Sequence, residues 1–167
     1  MKKPIVVLAF FASILAFSSS CKTTKTNGVS EGASKKSIYG TWTLNSITLD
    51  GISNDQFDVK VLGGIPRKCM VNSTWLFPSN GYGNYTITQS VSGCQTGAHS
   101  ILWSRLTENN TNYLQFKELE EGVKDKNITS GYRLEQVSQD ANSMVLRSPI
   151  DIAGRHTYIV YSFSKNQ

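Results

Sequence analysis

From about residue 39 to residue 165, apolar and polar side chains alternate with a period of two, and the alternation is interrupted at fairly even intervals. Successive side chains of a strand point to opposite faces, so a period of two describes half-buried β-strands. The pattern predicts strands at about 40–49, 70–77, 82–91, 98–106, 112–119, 130–137, 143–149 and 155–164. The interruptions "PSNGYG" (78–83), "ENNTN" (108–112), "QDANS" (139–143) and "DIAG" (151–154) place Asn, Asp, Gly or Pro where a reversal needs unusual dihedrals. Residues 50–68 are less regular and are expected to hold a helical turn or a lid. "EEGVKDKN" (120–127) is a longer, charged connection. No window of ten or more residues in this stretch shows good helical periodicity.

Eight consecutive strands joined by short reversals form an antiparallel meander, and closing it into a barrel removes both exposed edges. The expected fold is therefore all-β: an eight-stranded antiparallel up-and-down barrel, with an open β-sandwich as the alternative. Eight strands leave an interior just wide enough to be filled by side chains or to hold one small ligand.

The chain ahead of this region has a different organisation. Lys2 and Lys3 precede an apolar run from Ile5 to Phe17, followed by Ser18, Ser19 and Ser20 and then Cys21. That is the layout of a secretory signal, and the run falls short of the roughly 20 residues that span a bilayer as a helix. Cys21 directly after the small residues resembles the bacterial lipoprotein cleavage box, in which the cysteine becomes the lipidated first residue. An aliphatic residue is preferred three positions before that cysteine, where this chain has Ser18. Residues 22–37 are rich in Ser, Thr, Gly and Lys, a composition that cannot offset its ordering entropy by burial. The division expected is a signal peptide at 1–20, lipidated Cys21 with a flexible tether through 38, and one domain at 39–167.

The net charge of +5 includes Lys2 and Lys3; without them 15 basic residues stand against 12 acidic ones, or +3. No basic run with interleaved aromatics occurs in the domain, so nucleic acid is not an expected partner. Three cysteines are an odd number for an exported protein. A bridge between Cys69 and Cys94 is expected in an oxidising periplasm, leaving Cys21 for the lipid. The alternative is a pair of free or metal-bound thiols. His99 and His156 are the only imidazoles and neither has ligand-like spacing, so no metal site is expected.

"YGTWTL" (39–44) looks like the glycine-x-tryptophan signature of lipocalins. "CMVNSTWLFPSNGYGNYTI" (69–87), Trp103, "YLQF" (113–116) and "YRLEQVSQDANSMVLRSPIDIAGRHTYIVYSFSK" (132–165) are together similar to the lipocalin-like lipoproteins of Bacteroidota. The resemblance covers nearly the whole domain. It implies that Trp42 plugs one end of the barrel, with a cation from the last strand stacked over it. Lipocalins use an arginine there, and this chain offers Lys165 or Arg155. In these bacteria surface export goes with acidic residues soon after the lipidated cysteine, and "CKTTK" has none. The implied location is thus the cell envelope, lipid-anchored, at the outer membrane facing the periplasm.

Within the first strand, Trp42 and Leu44 share one parity while Ile47 and Leu49 have the other, which predicts a bulge at Asn45–Ser46. Further inward positions are Trp75, Phe77, Tyr85, Ile87, Trp103, Leu114, Phe116, Tyr132, Leu134, Met144, Leu146, Tyr161 and Phe163. Of these, Trp75, Phe77, Tyr85, Trp103, Phe116, Tyr132 and Tyr161 are the candidate ligand wall, since rings with a polar handle suit a mostly apolar ligand oriented by a few hydrogen bonds. The same rings could simply fill the core. Glu118, Glu120 and Glu121 read as a solvated face, and His156 as an outward strand residue.

No nucleophile elbow, zinc-protease helix, phosphate-binding glycine loop or paired catalytic carboxylates occur. The expectation is a non-enzymatic, cofactor-free envelope lipoprotein whose barrel binds a small apolar or amphiphilic ligand. The alternative is an envelope protein with a filled barrel that contacts a protein partner through its loops.

Overall fold

The computed structural model describes residues 35–53 and 57–167. The expected signal peptide, Cys21 and the tether up to residue 34 lie outside the described residues. Eight strands form a closed antiparallel barrel: β1 (Gly40–Leu49), β4 (Thr74–Phe77), β5 (Tyr82–Ile87), β6 (Gly97–Glu108), β7 (Thr111–Glu118), β8 (Tyr132–Gln139), β9 (Ser143–Ile152) and β10 (Arg155–Lys165). Each strand pairs with the next in the chain, and β1 closes the ring between β10 and β4. Between β1 and β4 the chain makes a two-stranded hairpin, β2 (Lys60–Val61) and β3 (Ile65–Pro66), and a helical turn, α2 (Arg67–Met70).

The alternation seen in the sequence is realised as burial. Trp42 and Leu44 face inward, the pairing shifts register between Leu44 and Ser46, and Ile47 and Leu49 then face inward at the other parity. The bulge residue Asn45 is exposed, and its side-chain oxygen accepts a hydrogen bond from Ser164 Oγ at 3.2 Å. An extra residue in one strand increases local twist and bends it, which is how a long strand follows a small barrel. A second shift lies between Gln136 and Ser138 on β8, where Val137 is turned out to solvent.

The tight reversals have the dihedrals their residues favour. Asn109 and Asn110 both have positive φ, as do Ala153 and Gly154, in loops that join Glu108 to Thr111 and Ile152 to Arg155. Two such residues match the twist of a two-residue hairpin. Asp140 holds the β8–β9 turn through the backbone N–H groups of Asn142 and Ser143 and the Ser143 hydroxyl. Gly83 is required by close approach, since a Cβ there would lie 2.1 Å from the carbonyl oxygen of Leu76 on β4.

Two expected strands are shorter than their patterns. Residues 70–73 belong to α2 and the turn after it, with Asn72 at φ 64°, because Cys69 and Met70 are buried there as part of a cap. Residues 88–91 leave the sheet after Ile87 to reach the Cys69–Cys94 disulfide. The folded part also begins earlier than residue 39. Lys35–Ile38 forms a helical turn, α1, and Ile38 is buried in the core.

That turn closes one end of the barrel. Trp42 is fully buried, its indole N–H donates to the Ile38 carbonyl at 2.8 Å, and Lys165 Nζ lies 5.3 Å from its ring centroid. Gln139 Nε2 donates to Ser37 Oγ at 2.9 Å, adding β8 to the same cap. The opposite end is covered by the segment from Phe57 to Asn72, which buries Val59, Val61, Leu62, Cys69 and Met70 into the core. The loop from Leu119 to Gly131 folds back over the outside of β6 and β7, where Lys117 Nζ donates to the carbonyls of Asp125 and Ile128. Among the described residues no helix is long and apolar enough to cross a membrane.

Candidate functional site: the lidded mouth

The seven rings expected to line a pocket all face the interior, but the structure gives them different tasks. Trp75 is the hub: its ring centroid lies 4.7 Å from Tyr85, 5.3 Å from Phe116 and 5.9 Å from both Phe77 and Phe163. Phe77 continues the chain of contacts to Trp103 at 5.1 Å, and Trp103 meets Tyr39 edge-on near the closed end. The polar handles of both tryptophans are satisfied, by Ser73 Oγ for Trp75 and by the Pro78 carbonyl for Trp103. Trp75, Phe77, Tyr85, Trp103 and Phe116 are all buried against one another. Edge-to-face and offset rings at these separations constitute packed core.

Tyr132 and Tyr161 are placed differently. Tyr132 packs on Phe116 at 5.1 Å but is only half-buried, and Tyr161 is buried with its hydroxyl 3.2 Å from Ser148 Oγ. Both line a recess of about 380 Å³ beneath the lid on the β8–β10 side, together with Leu62, Leu134, Ile150 and Ile159. A second recess, of about 250 Å³, lies on the other side of the lid tip, between Ile65 and Pro66 of the lid, Ile87, His99 and the loop at Gly93 and Gln95.

The lid tip separates the two recesses. Leu62, Gly63 and Gly64 have consecutive positive φ values of 42°, 79° and 116°. Leu62 is buried even so, a conformation that disfavours a side chain with a Cβ and persists only where packing enforces it. Gly63 lies directly over Tyr132: a Cβ there would come within 2.3 Å of the tyrosine hydroxyl. The tip is held from behind by the disulfide between Cys69, at the end of the lid, and Cys94 in the β5–β6 loop.

Around the rim, polar inward residues replace the rings below. Glu118, the last residue of β7, continues the inward series Leu114, Phe116, and so is part of the inner wall rather than a solvated face. Its Oε1 accepts a hydrogen bond from the Tyr85 hydroxyl at 2.8 Å, and its Oε2 is 3.8 Å from His99 Nδ1. The Tyr85 and His99 rings stack almost parallel, 4.6 Å apart. Burial first, and the Glu118 carboxylate second, push the Tyr85 phenol far above its usual range, so it is a fixed donor. Burial and the same carboxylate also raise Tyr132. One sequence signal pointed to this cluster: Glu118 and His99 share strand parity with Phe116 and Trp103.

His156 is exposed on β10, as its outward reading requires. Among the described residues no group of three or more His, Cys, Asp or Glu side chains is arranged to hold a metal ion. Comparisons with family models, curated proteins and solved structures give no match to this chain.

Proposed function

We propose that this protein is a lipid-anchored cell-envelope binding module, without enzymatic activity, that takes a small amphiphilic molecule at the lidded mouth of its barrel. The observation that carries this reading is the pair of recesses on either side of the Leu62–Gly64 tip, each with an apolar floor and a few polar groups at its edge. The body of the barrel is filled by rings, so the ligand is small and sits under the lid. In this reading Tyr132 and Tyr161 are contacts, while Trp75, Phe77, Tyr85, Trp103 and Phe116 support the floor. The closed eight-stranded barrel, the Trp42 plug and the Lys165 contact support the lipocalin-like part of this reading, and the lipid anchor rests on the sequence around Cys21.

The chain enters the fold at the closed end, through α1. With Cys21 lipidated and inserted in the outer membrane, the tether would join the barrel at its closed end and leave the mouth unobstructed. Replacing Cys21 with serine should move the protein to the soluble fraction, because the tether carries too few positive charges for firm binding. Unchanged membrane partitioning would remove the anchor from the reading.

The mouth is tested by titrating the protein with an environment-sensitive apolar fluorophore. Saturable binding that weakens at least tenfold when Ile150→Trp fills the β8–β10 recess supports the reading. A native protein that binds no fluorophore retires it. The packed rings then favour a second reading, an envelope protein with a filled barrel that recognises a partner through its loops.

A further inference from the structure

We infer that the recess beneath the lid on the β8–β10 side takes a ligand with a singly charged anionic head group, a carboxylate or a sulfate, with Lys60 as its counter-ion. The inference rests on the mouth reading above and adds the chemistry of the head group. Its first support is an unspent donor in the wall. Tyr161 is 2% exposed, and its hydroxyl shares one hydrogen bond with Ser148 Oγ at 3.2 Å. Two hydroxyls hold two protons and the bond between them uses one. Whichever oxygen donates, the other keeps a proton with no acceptor among the described residues. Both side chains line the recess of about 380 Å³, and a donor facing an enclosed space calls for an acceptor.

The second support is the charge at the same recess. Lys60, on β2 of the lid, is exposed and stands at the recess beside the buried Val61 and Leu62. Among the described residues no carboxylate forms an ion pair with it. Arg133 is the other cation of the lining, and it is engaged by Glu108 at 2.8 Å. No Asp or Glu lines this recess, and Tyr132 beneath the lid tip brings a further hydroxyl.

The recess thus combines hydroxyl donors and one unpaired ammonium with an apolar floor of Leu134, Ile150 and Ile159. That combination matches a head group that only accepts, carried on an apolar tail. An anionic head receives the spare hydroxyl proton and is attracted by Lys60. An alcohol oxygen accepts the proton without the attraction, and an ammonium head has no lone pair to offer and is repelled. Lys60 is solvent-exposed, so screening limits the preference for an anion over an alcohol to about tenfold.

Octanoate, octyl sulfate, octanol and octylammonium share one tail and differ in the head. Each is used below its micellar concentration to displace the fluorophore from the purified protein. The expected order is an anion about tenfold tighter than octanol, with octylammonium weakest, and the tighter of the two anions identifies the head group. Lys60→Gln should bring the anion-to-alcohol ratio close to one, and Lys60→Arg should keep it. An anion preference that survives in Lys60→Gln, equal binding of anions and alcohol, or tightest binding of the amine would each overturn the inference while leaving the mouth reading intact. Failure of all four to displace a bound fluorophore would do the same, whereas a native protein that binds no fluorophore removes both. Should Lys60→Gln not fold, the native protein decides. The anion-to-alcohol ratio must shrink between roughly 0.05 M and 1 M salt, and a ratio indifferent to salt overturns the inference.

Discussion

Lys165 Nζ lies over the Trp42 ring at 5.3 Å, joining the last residue of β10 to the start of β1 at the closed end of the barrel. Trp42 is fully buried and bonded to the Ile38 carbonyl, while Lys165 is only half-buried, with Nζ 3.4 Å from the Ser37 carbonyl. The two should therefore differ in weight. Trp42→Ala is expected to cost about 3–5 kcal/mol, and Lys165→Ala about 0.5–1 kcal/mol. Urea denaturation of each variant checks the ratio.

Trp103 separates core from pocket wall. Its ring packs against Phe77 and Tyr39 and its N–H is bonded to the Pro78 carbonyl. Trp103→Ala should cost about 3–5 kcal/mol and leave fluorophore binding at the mouth within a few-fold of native. Calorimetry together with the titration tests this. A stable variant that has lost binding would place Trp103 in the site.

Gly63 and Tyr132 should be coupled. Gly63→Ala places a methyl against the Tyr132 hydroxyl in a backbone conformation with φ +79°, and the conformation alone costs about 1–2 kcal/mol. The clash adds to that, and Tyr132→Phe removes the clashing atom. Gly63→Ala should thus be less damaging in the Tyr132→Phe background, by a coupling of about 0.5 kcal/mol or more in a double-mutant cycle. Strict additivity would show that the tip does not rest on Tyr132.

The disulfide between Cys69 and Cys94 closes a separation of 25 residues, to which chain entropy assigns about 3.5 kcal/mol. Reduction should lower the melting temperature and release the lid ahead of the barrel. Amides of residues 59–70 are expected to exchange faster in the reduced protein, while those of β9 and β10 stay protected.

Stability should fall at high pH. Tyr85, Tyr132 and Tyr161 all have phenols raised above the ordinary value of 10.0, with burial the leading cause in each. Between the unfolded value and the folded ones the native state keeps protons that the unfolded chain has lost. The stability they contribute is complete below about pH 10 and is lost as pH rises through the folded values. Urea midpoints should be level up to about pH 10 and decline above it, and Tyr85→Phe should decline less steeply than native. Parallel slopes would contradict the burial of Tyr85.

The sequence by itself determined the strands, their order and the inward face, because a period of two can satisfy only one side of a sheet and an unclosed meander leaves two edges. Even the bulge in β1 was legible, as a parity change between Leu44 and Ile47. The Cys69–Cys94 bridge followed from the cysteine number and the exported location that the sequence leads one to expect. Tertiary structure decided what the inward rings do. Whether Trp75 and Phe116 face a void or each other depends on barrel radius and on which rings meet across it, and no local pattern encodes those distances. The cap was equally non-local: Met70 reads as the start of a strand, yet it is buried under a lid that the disulfide pulls over the mouth. Glu118 looked like one of three solvated acids at a strand end, and only the register that sets it beside Tyr85 and His99 turns it into the inner wall.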